Sequence, residues 1–101
     1  MKYHSTRGKA PVLDFAEVVL TGLARDGGLY VPESYPQFST AQWQELRGKS
    51  YQELVFAVMQ PFVGDTIKPD ILKTLIDEAY TGFHHQAIAP IIQLVHNHFL
   101  L

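Results

Sequence analysis

Two short runs hold the side chains of this chain best suited to gripping an anion. In Ser5-Thr6-Arg7 a guanidinium fork and two hydroxyls stand side by side and could donate several hydrogen bonds to a phosphate or a carboxylate. For one isolated arginine, local packing or an interdomain salt bridge is the plainer reading and the preferred one. In Asp26-Gly27-Gly28 the backbone N–H groups could hold an anion, yet this run directly after an apolar periodic segment reads first as a helix stop and turn. Gly22 and Gly27 share the spacing of the outer glycines in a GxxxxGK phosphate loop. Gly28-Leu29 stands where the lysine and hydroxyl are required, so the phosphate and magnesium contacts of that loop are missing.

Metal and acid–base chemistry find weaker footing. His84, His85, His96 and His98 carry imidazoles that could ligate zinc if the two pairs converged. Neighbouring histidines point in different directions in regular structure and no HExxH occurs, so a surface or packing role is preferred and no metal site is expected. Asp65, Asp70, Asp77 and Glu78 surround one predicted helix. Carboxylates at its first turn complement the positive helix end, and solvation explains the later pair better than a paired-carboxylate mechanism does. Lys9, Lys49, Lys68 and Lys73 lack any accompanying cofactor constellation. With no cysteine, thiol nucleophiles, disulfides and iron–sulfur ligation are excluded together. No catalytic, cofactor-binding or metal-binding residue is therefore assigned.

The elements that must position these side chains follow from pattern. Lys2–Thr6 reads as a short extended segment with Tyr3 and Ser5 on one face, followed by a turn through Pro11. Asp14 with Glu17 forms a capping box, and Phe15, Val18, Val19 and Leu23 recur at helical spacing until Gly27 and Gly28 stop the helix. Leu29-Tyr30-Val31 reads as a brief strand. Ser39 with Gln42 caps a second helix, stapled by Phe38 and Trp43 and ended by Gly48. Ser50 with Glu53 caps a third, whose apolar stripe is Tyr51, Leu54, Val55, Val58, Met59 and Phe62, bent or ended near Pro61. A fourth starts with Pro69 at its first position and buries Ile71, Leu72, Leu75, Ile76, Ala79 and Phe83, with Gly82 near its end. The fold class expected is mainly α: a small helical domain with one or two short β segments.

Length and charge bound the rest. At 101 residues the chain holds one compact domain. Eight basic against ten acidic side chains give −2 with histidine neutral, which supplies no field for a polyanion, so no nucleic-acid partner is expected. The start lacks an apolar signal core and no stretch approaches the apolar length of a membrane span, so a soluble cytoplasmic chain with no membrane contact is expected. The tail QAIAPIIQLVHNHFLL is different in kind. Its apolar end, Phe99-Leu100-Leu101, suggests a strand or helix continuing into another structural unit.

The order of these segments is that of a known family. Lys2-Tyr3-His4-Ser5-Thr6-Arg7-Gly8, Ala10-Pro11-Val12-Leu13-Asp14-Phe15, and the run from Gly22 through Asp26-Gly27-Gly28-Leu29-Tyr30-Val31-Pro32 closely resemble the amino-terminal domain of threonine synthase. The likeness continues through Phe62-Val63-Gly64-Asp65, and Ala89-Pro90-Ile91-Ile92 looks like the approach to the catalytic part. It implies a fold type II enzyme dependent on pyridoxal phosphate that converts O-phospho-L-homoserine and water into L-threonine and phosphate.

The resemblance also implies what lies outside this sequence. The family's ELFHGPT-like run and its Phe-Lys-Asp, whose lysine bonds the cofactor, would begin around or after Leu101, and the cofactor-phosphate loop would follow. Residues 1–85 are expected to form the amino-terminal domain and 86–101 the start of the connection into the catalytic domain, which is the expected partner. The fragment alone should be inactive and hold no cofactor. Two alternatives stand beside this reading: a threonine-synthase-like phospholyase, and an independent helical protein-interaction domain.

Overall fold

The computed structural model describes all 101 residues. A three-stranded antiparallel sheet opens the chain, with β1 (Lys2–Ser5) flanked by β2 (Leu13–Asp14) and β3 (Tyr30–Pro32). Tyr3 faces Leu13 on one side and Pro32 on the other, and Ser5 faces Tyr30. Alternation along β1 buries Tyr3 and Ser5 on one face, as their spacing predicts. Pro32 causes no break because it ends an edge strand.

Four helices follow the predicted starts: α1 (Phe15–Thr21), α2 (Thr40–Glu45), α3 (Tyr51–Val63) and α4 (Pro69–Thr81). The reciprocal capping bonds of Asp14 with Glu17, Ser39 with Gln42 and Ser50 with Glu53 are all formed. The Phe38 and Trp43 rings meet at 4.9 Å beside the second of these caps. Pro69 occupies the first turn of α4, where its missing N–H costs nothing.

The ends of α1 and α2 differ from the sequence reading: α2 closes at Leu46 rather than at Gly48, the Leu46 N–H already donating to the Gln42 carbonyl. The first helix does not run on to Gly27 and Gly28; it stops at Gly22, which takes φ 70° while its N–H donates to the Val18 carbonyl. A positive φ is open to glycine without strain, so the first glycine reached ends the helix. The extended segments are also more numerous, five in all, because β2 pairs with β1 and the tail forms β4 (Ile92–Val95) and β5 (His98–Leu100). Asn97, at φ 59°, turns β4 back on β5.

The core lies between α3 and α4, where Val63, Leu72 and Ile76 are buried beneath Phe15, Val55, Phe56, Ile67 and Tyr80. Tyr3 ties the sheet to this pair by donating its hydroxyl to the Phe62 carbonyl at 2.8 Å. Burial raises the Tyr3 pKa, which keeps the phenol a donor at neutral pH. The predicted stripes are wider than the surface they cover: Val58, Met59, Ile71, Leu75 and Ala79 remain exposed, as does Phe83.

The shape is open. Its radius of gyration is 16.7 Å, against about 13 Å for a compact chain of this length. It exposes 7755 Å², about 2,000 Å² more than the roughly 5,800 Å² expected of a compact protein of 11.4 kDa. No helix is long and apolar enough to cross a membrane.

Candidate functional site

The two runs singled out in the sequence meet. β1 delivers Ser5, Thr6 and Arg7 to the loop that follows α1, and Asp26 is the hub between them. The Ser5 hydroxyl lies 2.7 and 2.8 Å from the two carboxylate oxygens of Asp26. The Lys9 N–H donates to the same carboxylate at 2.9 Å and the Gly28 N–H at 3.0 Å. Thr6 and Leu29 are doubly linked, Thr6 N–H to the Leu29 carbonyl at 2.8 Å and Leu29 N–H to the Thr6 hydroxyl oxygen at 3.0 Å.

Glycine is required at the centre of this knot. A Cβ on Gly28 would collide with the Ser5 Oγ and stand 3.0 Å from both Thr6 Oγ1 and an Asp26 carboxylate oxygen. Gly27, at φ +77°, allows the Arg7 guanidinium to lie close, with Nη1 2.8 Å from where a Cβ would be. That nitrogen donates to the Asp26 carbonyl at 3.0 Å, and the Arg7 N–H donates to the Ser5 Oγ at 3.2 Å.

This geometry settles what the turn can bind. The Gly28 N–H is taken by the Asp26 carboxylate and the Gly27 N–H by the Ala24 carbonyl, so the glycine amides do not form an anion cradle. Arg7 engages a carbonyl rather than a carboxylate; the one ion pair in the chain is Lys49 with Glu53, at 3.6 Å. Arg7 is exposed, and its other guanidinium N–H groups form no hydrogen bond within the chain.

Asp26 is held below its ordinary pKa of 3.8, chiefly by the Ser5 hydroxyl and, against the opposing effect of desolvation, by the backbone N–H donors around it. A carboxyl with a lowered folded pKa stabilises the fold above its unfolded pKa, and that contribution is lost as pH falls from 3.8 through the folded value. The thermal midpoint should therefore drop on acidification below that point. Asp26→Asn should lower the midpoint at neutral pH and flatten the acid limb, which a series of calorimetric scans against pH would measure.

The other candidates remain apart. His85 accepts from the Ala87 N–H through Nδ1, His98 Nδ1 lies 3.1 Å from the His96 carbonyl, and no group of three or more metal-ligating side chains assembles anywhere. Asp70 occupies the first turn of α4. Asp77 lines a cleft of about 360 Å³ between α3 and α4 together with Lys49, Glu53, Phe56, Lys73 and Ile76. Both lysines there are engaged, Lys49 with Glu53 and Lys73 over the Phe56 ring at 4.8 Å. With no glycine or serine-rich phosphate cradle beside them, they do not fit pyridoxal phosphate. The Asp26 hub escaped sequence reasoning, since its partners are up to 21 residues away in the chain.

Comparison with known proteins agrees with the sequence resemblance. Residues 2–80 match the family described as "Threonine synthase N terminus". Threonine synthase of Pseudomonas aeruginosa is 48% identical over 101 residues, which is all of this chain and 22% of that protein. Human threonine synthase-like 2 is 39% identical over 98 residues, covering 93% of this chain and 20% of its own length. The crystal structure of PLP-bound threonine synthase from Brucella melitensis superposes with a TM-score of 0.89 at 51% identity, over 99% of this chain and 22% of that one. The chain thus spans about a fifth of the length of the relatives it matches. By profile, sequence and fold alike, the chain belongs to the threonine synthase family and corresponds to its amino-terminal domain.

Proposed function

We propose that the full-length protein is a threonine synthase that uses pyridoxal phosphate to convert O-phospho-L-homoserine and water into L-threonine and phosphate, in the cytoplasm. The observation that carries this reading is identity of 48% sustained over the whole chain to a threonine synthase. Residues 1–85 act as the amino-terminal domain and 86–101 begin the connection into the catalytic domain. The hairpin of β4 and β5 supports that division: it hydrogen-bonds only within itself and is exposed throughout, and an isolated two-stranded ribbon is marginal in water.

The cofactor supplies an electron sink during proton movement and loss of phosphate. None of that chemistry is assigned to this chain. Its part is to position and enclose the catalytic body. One alternative stands beside this reading, a threonine-synthase-like phospholyase that releases phosphate without making threonine.

The test is product analysis with O-phospho-L-homoserine and pyridoxal phosphate. The full-length protein should release threonine and phosphate together, and the 101-residue chain should release neither. Phosphate without threonine would establish the phospholyase. Turnover by the short chain would overturn the division of labour.

A further inference from the structure

We propose that the face formed by α1 and the loop after it, with Leu20, Leu23 and Leu29 as apolar anchors and Arg7 beside them, docks on the downstream part of the same polypeptide, at an apolar patch that offers Arg7 a carboxylate. This rests on the reading of the chain as the amino-terminal domain of a longer protein, and it names the face and the counter-chemistry that reading leaves open.

The first support is an inverted surface. α1 turns Phe15 inward, where its ring lies 6.3 Å from that of Tyr3, and carries a single charged residue, Glu17. Its outer side shows Val19 at 63% exposure and Leu20 at 89%. A solvated helix carries polar residues there. Leu23 and Leu29, 67% and 60% exposed, are brought together because the Ala24 N–H donates to the Gly28 carbonyl at 3.0 Å and closes the loop between them.

The second support is charge. Arg7, Lys9 and Arg25 surround this loop, and the one carboxylate among them, Asp26, is turned to Ser5, the Lys9 N–H and the Gly28 N–H. None of the three cations forms an ion pair within the chain. Arg7 is already fixed by the Asp26 carbonyl, so a carboxylate meeting its free fork has little side-chain ordering left to overcome. Arginine is enriched at interface cores relative to the rest of a protein surface.

Area and length identify the occupant. The whole chain's excess exposure of about 2,000 Å², to which the β4–β5 hairpin also contributes, leaves room for the roughly 800 Å² that each side of a standard interface contributes. About four-fifths of the length of the matched relatives lies outside this chain, and a covalently tethered partner has a high effective concentration. A second copy of this face is a poorer fit, since a two-fold pairing would bring the three cations towards their own counterparts.

Carbene footprinting of the full-length protein, read by mass spectrometry, tests the proposal. Leu75, 48% exposed here, serves as the labelled reference and buried Leu72 as the check on folding. Because labelling follows accessible surface, Leu20 should be labelled roughly tenfold less than its exposure here implies if it is desolvated at an interface centre. Arg7→Gln should restore much of the Leu20 labelling while Leu72 stays protected. Full labelling of Leu20 in a protein that makes threonine overturns the docking face and leaves the proposed function standing. Protection in a protein that makes none supports the face and counts against the function. Protection that vanishes on dilution points to a second copy and overturns the proposal.

Discussion

Ile76→Ala is expected to destabilise the chain by about 2–5 kcal/mol, a large part of the roughly 5–15 kcal/mol that holds a domain of this size. Ile76 lies one turn after Leu72 on α4, and with Val63 these make up the whole buried centre of the helical pair. With no disulfide to share the load, truncating one of three such side chains removes a substantial fraction of the dry contact surface. Ile76 also lines the cleft between α3 and α4, which lets water reach the space left behind and places the effect towards the lower end of the range. Leu75→Ala, one residue away on the exposed side, should cost far less. Urea denaturation followed by circular dichroism distinguishes them. Equal midpoints for the two variants would mean that the core has been placed on the wrong side of α4.

Gly28→Ala should cost about 1–3 kcal/mol by overpacking the knot around Asp26. The added methyl meets Ser5 Oγ, Thr6 Oγ1 and an Asp26 carboxylate oxygen at once, and each of those atoms is held by a hydrogen bond. None can swing aside without breaking the link between β1 and the loop. The specific clash predicts coupling. In a Ser5→Ala background the main obstacle is gone, so Gly28→Ala should cost less there, with an interaction energy of about 0.5–3 kcal/mol in a double-mutant cycle. Gly82→Ala is the control, because nothing lies within 4 Å of that site and its φ of −80° suits any residue. Additive effects at positions 5 and 28 in calorimetry would dismiss the steric account.

What could be read in advance was local. Each capping box joins residues three apart, so Asp14, Ser39 and Ser50 declared their helices without help from the rest of the fold. The shared face of Tyr3 and Ser5 followed from strand alternation in the same way. The end of α1 was harder, because Gly22 and Gly27 look alike as stop signals until the Gly22 N–H is seen to close on Val18. Val63 escaped notice as the most buried side chain because it follows Pro61 at the end of a stripe that seemed to finish at Phe62. The terminal hairpin did carry a signal, Asn97 between two apolar runs, which a search for two-residue turns would have caught. The Asp26 hub carried none, since Ser5 and Lys9 reach it only after the sheet has formed.

The sheet, the Tyr3–Phe62 bond and the α3–α4 core are all complete by Thr81, which gives this domain an order of assembly during translation. At about 5–20 residues per second the ribosome makes that much chain in roughly 4–16 s. A protein as long as the Pseudomonas relative, of which 101 residues are 22%, would then have about 380 residues to add, or roughly 20–75 s of synthesis. On the proposed docking, the Leu20 face would stay uncovered through that interval. Arg7, Lys9 and Arg25, set around the loop beside it, place charge next to that apolar surface, the arrangement by which flanking charges keep exposed apolar segments from associating.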